Sequence, residues 1–303
     1  MKNLLLPVFF CAVAFAGCER HAAYDIVARP CTGSASVNYI SNRSPLLLSQ
    51  YAESTVNAKA GKRENICLEQ TTRYPFNETV RIVVREANRV TFPLYLRIPE
   101  WCAEATAKII AADGQTSSVT APAAQYLRIE RTWSAGDVVE LTLPMHLSLD
   151  TWAQNGNSVS LNYGPLTFSL QIDEKYIQKN SAKTTQWDSG WQASADPSQW
   201  PSYEISPLSS WNYGLIFDAS DLTASFEVIK KTWPADNFPF TVASVPLAVK
   251  AKGAKIPGWK IDEHGLCAFV PQSPVPAGEP VEEITLIPMG AARLRISAFP
   301  VIR

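Results

Sequence analysis

TVRIVVREA, residues 79–87, alternates Val80, Ile82 and Val84 with Arg81 and Arg85. A period of two sends one set of side chains to a core and the other to water, so the stretch predicts a β-strand and not a helix. The same alternation recurs on its C-terminal side, in YLRIERTW (126–133) and DVVELTLPM (137–145). WSAGD (133–137) lies between these two and holds the small and turn-forming residues that a hairpin needs. PLYLRIPEWC (93–102) reads as an edge strand that stops at Pro99, which has no N–H to donate. Trp101 and Cys102, directly after it, read as corner packing.

A second strand set follows in SVSLNYGPLTFSLQI (158–172), TASFEVIKK (223–231), FTVASVPLAVKA (240–251) and EEITLIPMGAARLRISAF (282–299). In the last of these, Ile284, Leu286, Leu294 and Ile296 are expected to face inward, and Arg293 and Arg295 outward. Residues 173–221 interrupt the set as an aromatic-rich, irregular stretch. Nothing has the pattern of a long amphipathic helix, and 22 prolines suit short strands joined by defined turns. The expectation is an all-β fold of two β-sandwich domains, mostly antiparallel. The first covers 46–150 and the second 151–303, behind a polar lead segment at 19–45.

The formal net charge of −1 gives no field that would select nucleic acid. MKNLLLPVFFCAVAFAGC, residues 1–18, has a lysine, an apolar run too short to span a bilayer comfortably, and Ala16-Gly17-Cys18 at its end. It reads as a signal peptide with a lipobox, the alternative being ordinary cleavage with no lipid. With the lipobox, Cys18 would carry the lipid, and the chain would be exported and held on a membrane by that anchor, in the periplasm or at the cell surface. The residue found at the mature N-terminus checks this. Export means an oxidising compartment, yet Cys31, Cys67, Cys102 and Cys267 are scattered and form no CxxC pair. Isolated buried thiols are expected, with no metal site and no cofactor.

HExxH, GxSxG, P-loop and GxGxxG patterns are missing from the sequence. Of the three histidines, His21, His146 and His264, only His146 lies in a strand region, where a packed or surface role is expected. The densest feature is aromatic. Trp187, Trp191, Trp200, Tyr203, Trp211 and Tyr213 fall in one stretch, with Glu204, Ser209 and Asn212 among them. Ring faces beside hydrogen-bonding groups suit a sugar, whose apolar face stacks while its hydroxyls bond at the edge. Trp187, Trp191, Trp200, Trp211 and Tyr213 are therefore the carbohydrate-binding candidates. The alternative is that the stretch packs these rings onto its own domain. For Trp211 the neighbours Leu208, Tyr213 and Leu215 favour a core place. Asp188-Ser189-Gly190, between Trp187 and Trp191, looks like an exposed turn.

RYPFNETVRI (73–82), FPLYLRIPEWC (92–102), WSAGDVVELTLPM (133–145), NYGPLTFSL (162–170), WPSYEISPLSSWNYGL (200–215) and EEITLIPMGAARLRISAFP (282–300) follow one another in order. Together they resemble the non-catalytic β-sandwich part of glycoside hydrolase family 127, the β-L-arabinofuranosidase family. The resemblance covers roughly residues 46 to 303. It implies a large (α/α)6 barrel ahead of the sandwiches in family members, with an acid glutamate and a cysteine nucleophile held at zinc. Where the family has a Cys-Cys pair near the barrel's end, ARPCTGSASVNYI (28–40) has Pro30-Cys31, so Cys31 is the sole catalytic candidate that the resemblance supplies. The expectation is a truncated, non-catalytic relative whose partners are a glycan or a separate barrel chain. The alternative is an active hydrolase on L-arabinofuranosides, alone or with such a barrel subunit.

Overall fold

The structure is a computed structural model that describes residues 35–40, 46–184, 194–263 and 265–303. The chain divides between Met145 and His146 into two compact units, each nearly all β. Among the described residues no helix is long and apolar enough to cross a membrane.

The first unit runs through β1 (Ala35–Ile40), β2 (Leu46–Leu48), β3 (Ser54–Ala60), β4 (Glu64–Thr72), β5 (Thr79–Glu86), β6 (Val90–Ile98), β7 (Glu104–Ile110), β8 (Thr116–Pro122), β9 (Gln125–Trp133) and β10 (Val138–Thr142). One sheet has the order β1-β3-β4-β5-β10-β7-β8 and the other β2-β6-β9. Val80, Ile82 and Val84 of β5 and Phe92, Leu94, Leu96 and Ile98 of β6 enter one core cluster, with Leu127, Ile129 and Trp133 of β9. Fully burying each such side chain contributes about 1.5–3 kcal/mol. Arg81 and Arg85 face water, paired with Glu140 and Glu69. The segment expected as a polar lead holds β1, which pairs in parallel with β3 from Ala35↔Ser54 to Ile40↔Lys59.

Two local expectations are corrected. PLYLRIPEWC is not at an edge, because β2 pairs with Leu94–Leu96 on one side of β6 and β9 pairs along its other side. Cys102 beyond it is buried, and Trp101 stacks on Tyr74. WSAGD is not a hairpin, since β9 and β10 belong to different sheets. The turn docks on β5 instead: Gly136 N–H donates to Val84 O (2.8 Å), Val84 N–H to Asp137 O (2.8 Å) and Ala135 N–H to Ala87 O (3.1 Å). Gly136 takes φ +93°, open to glycine at little cost. The buried Asp137 carboxylate accepts from the N–H groups of Ala112 (2.9 Å) and Ser134 (3.0 Å). Small residues and an aspartate thus serve a crossing between layers as well as they would a hairpin.

The second unit comprises β11 (Leu147–Trp152), β12 (Ser158–Tyr163), β13 (Leu166–Leu170), β14 (Glu174–Lys179), α1 (Ser181–Thr184), β15 (Ser202–Pro207), β16 (Tyr213–Ile216), α2 (Leu222–Ser225), β17 (Glu227–Lys230), β18 (Leu247–Lys255) and β19 (Val281–Pro288). Its main sheet has the order β11-β12-β13-β19-β18-β16, and β17 also pairs with β18. Gly164, at φ +56°, and Pro165 make the tight turn between β12 and β13. β13 then changes partner, pairing with β12 through Leu166 and Thr167 and with β19 through Phe168–Leu170. A strand that passes from one set of neighbours to another in this way turns a sheet over onto itself.

The helix α2 takes the start of TASFEVIKK, capped by the Asp221 carboxylate on Ala224 N–H. Residues 240–246 are outside the strands, and β18 begins only after Pro246, which has no N–H for a ladder. Arg293 and Arg295 are exposed and Leu294 and Ile296 half-buried, as expected, although the segment after β19 is not a strand. The stretch 173–221 is not irregular throughout: β14 and β15 pair with each other and β16 joins the main sheet.

Candidate functional site

β14 and β15 form a two-stranded ribbon with Tyr176 opposite Ile205 and Gln178 opposite Tyr203. Alternation along both strands puts Glu174, Tyr176, Gln178, Tyr203 and Ile205 on one face. Tyr176 and Tyr203 are diagonal neighbours, each 50% exposed, with ring centroids 6.0 Å apart and planes at 76°. Trp200, 61% exposed, precedes β15, and its carbonyl accepts from the Ser181 hydroxyl.

An isolated two-stranded ribbon is marginal in water, so this one needs ties to its unit. Glu174 supplies them. Its Oε1 accepts from the N–H groups of Arg293 (3.1 Å) and Leu294 (3.0 Å), and its Oε2 from the Tyr176 hydroxyl (2.5 Å). That last bond, first among the causes, pushes the Tyr176 phenol up from its ordinary range. At the base, Leu208 N–H donates to Asp173 O and Asp173 N–H to Ser209 Oγ. On the opposite face, Lys179 lies 2.8 Å from Glu204 and holds its carboxyl below the usual range. The arrangement offers rings for stacking, with a carboxylate, an amide and hydroxyls at their edges, which is chemistry that suits a polyhydroxylated ligand.

The other candidates separate from this place. Trp211 is half-buried, edge-on to Trp259 at 5.1 Å, against Ile256 and Ile302. Tyr213 is buried, donates to Glu282 Oε2 at 2.7 Å and lies under Lys255 Nζ. Burial first, and then Glu282, push its phenol up. A ring so covered has no face left for a sugar. Trp187, Trp191, Cys18, Cys31, His21 and His264 lie outside the described residues. Tyr176 escaped the sequence reading because EKYIQK and SYEISP are joined only by cross-strand pairing, which neither segment announces.

Cys67 is half-buried, Cys102 buried and Cys267 exposed, and all three are free thiols. Cys267 thus departs from the expected burial, because it follows a short turn at the surface. Desolvation is the first cause pushing each thiol up, away from the thiolate form that acts as nucleophile or metal ligand. His146 is exposed. Among the described residues no group of three His, Cys, Asp or Glu side chains could hold a metal ion. The first unit has a shallow depression of about 310 Å³ lined by Glu64, Asn65, Arg85, Glu86, Ala87, Asn88 and Ala135, with no ring for stacking.

Residues 45–145 match the family described as beta-L-arabinofuranosidase, GH127 middle domain. No curated protein matches the chain. Among solved structures, one titled "Glycoside hydrolase" shares the fold, with 22% identity and a TM-score of 0.52 over 85% of this chain and 36% of that one. A GH127 β-arabinofuranosidase aligns at 18% identity and a TM-score of 0.49, covering 89% of this chain and 35% of its own. A GH127 β-L-arabinofuranosidase from Geobacillus stearothermophilus T6 gives 17%, 0.48, 91% and 34% for the same quantities. The chain spans about a third of the length of the solved proteins it matches.

Proposed function

We propose that this chain, related to the β-L-arabinofuranosidases of family GH127 through its middle-domain segment, binds glycan through the Tyr176–Tyr203 ribbon and does not itself cleave it. The observation that carries this is the pair of half-exposed tyrosines, with Glu174 and Gln178 on the same face. Exposed ring faces beside hydrogen-bonding groups are the surface on which a sugar stacks. Incubating the purified chain with an aryl β-L-arabinofuranoside, with and without zinc, is expected to give no turnover above background. Turnover that vanishes in Cys31→Ser would overturn the non-catalytic role.

The match of residues 45–145 to a hydrolase family favours one second reading, in which the chain works in a hydrolase whose catalytic groups lie on a barrel. Turnover that arises only when a separately produced family barrel is added would support it.

A further inference from the structure

β8, TSSVTAP, ends the seven-stranded sheet, and among the described residues β7 is its only strand neighbour. Ala111 N–H donates to Gln115 O at 2.8 Å, and Ala123 N–H to Ala103 O at 3.1 Å. With the register Lys108↔Ser118, these two bonds set which residues share the ladder. In an antiparallel pair, alternate residues bond to the same neighbour. Ser117, Val119 and Ala121 therefore turn their N–H and C=O groups to β7, while Thr116, Ser118 and Thr120 turn theirs outward. All residues from Thr116 to Thr120 are exposed.

Natural sheet edges are commonly guarded by charges, bulges or proline. β8 carries no charged residue, and its one proline, Pro122, stands at the very end. The opposite case is β11, an edge of the second unit's main sheet, where Asp150 sits mid-strand and accepts from Asn162 Nδ2.

We infer that β8 is a self-association edge, which pairs antiparallel with β8 of a second copy of this chain about a two-fold axis at Ser118. The sequence fits its own reverse. Thr116 of one copy stands opposite Thr120 of the other, and Ser118 opposite Ser118. Each of these outward-facing pairs exchanges two backbone hydrogen bonds. Threonine pairs across strands are favourable, and no charge of β8 meets its like. The interface is isologous, so it closes at a dimer. A ladder this short buries well under the ~1,200 Å² of ordinary stable complexes, so the dimer is weak and builds up with concentration.

Sedimentation of the full chain over a concentration series tests this. The wild type is expected to shift from monomer to dimer as concentration rises. Ser118→Lys sets two lysines face to face at the axis, beside Lys108 of each copy, which lies opposite Ser118 on β7. It should remain monomeric with unchanged circular dichroism, its melting temperature lowered slightly because the introduced lysine faces Lys108 across the strand pair of its own copy. Mixing Ser118→Lys with Ser118→Glu places opposite charges at the axis and should restore a mixed dimer. A wild type monomeric throughout would overturn the inference. So would a Ser118→Lys protein that still dimerises, or a mixture no more associated than its separate components.

Discussion

Trp133 of the first unit ends β9 with no exposed surface, whereas Trp200 of the second stands just before β15 and is 61% exposed. The rings are chemically the same; their strands differ in what covers them. β9 lies beside β6, and its inner residues join a core shared with the seven-stranded sheet. Trp133 packs on Phe92 at 5.8 Å, donates its indole N–H to Phe92 O at 3.0 Å, and has Arg131 5.2 Å above its face. Among the described residues β15 has β14 as its only strand partner. For these two rings, burial follows from the layers packed against their strands. A ring left out of the core adds little to stability, which is why the ribbon is the place to look for binding.

Removing the buried ring gives the sharpest contrast. Trp133→Ala opens a cavity and strands the Phe92 carbonyl, and should cost about 3–5 kcal/mol in chemical denaturation. A loss below about 1 kcal/mol would break the distinction between the two regions.

Tyr51 sharpens it from the polar side. Its hydroxyl donates to Arg97 O at 2.6 Å, and burial, followed by Tyr74, pushes the phenol above its ordinary 10.0. The folded protein keeps this proton where the unfolded chain releases it. The contribution to stability is therefore complete below about pH 10 and is lost as pH rises beyond the unfolded value toward the folded one. Tyr51→Phe should cost about 1 kcal/mol at neutral pH. It should also show a shallower alkaline fall than the wild type in denaturation curves between pH 9 and pH 11, whose range brackets the ordinary tyrosine value of about 10. Parallel curves would mean that Tyr51 titrates alike in both states.

The strand alternation was legible because it needs only local spacing: Val80, Ile82 and Val84 point into the core as TVRIVVREA requires. Partnership was not. WSAGD joins two sheets and PLYLRIPEWC lies between two strands, and both facts depend on residues distant in the chain. The binding candidates were legible as a composition, not as a place. Trp200 stands by the ribbon, while Trp211 and Tyr213, eleven and thirteen residues on, belong to packing against Trp259 and Glu282. Tyr176 and Tyr203 meet only because β14 and β15 pair, with 26 residues of chain between them that no local pattern bridges.

The ribbon's tyrosines should give the smallest effect on stability and the largest on binding. Replacing both, Tyr176→Ala with Tyr203→Ala, should change unfolding free energy by less than about 0.5 kcal/mol each, as for other exposed positions. Titration calorimetry with a β-L-arabinofuranosyl oligosaccharide, on wild type and double variant side by side, tests the central claim directly. The account predicts weak but measurable binding by the wild type, at least tenfold weaker binding by the variant, and matching melting temperatures. Equal binding by both proteins, no binding by the wild type, or a variant that unfolds would contradict it.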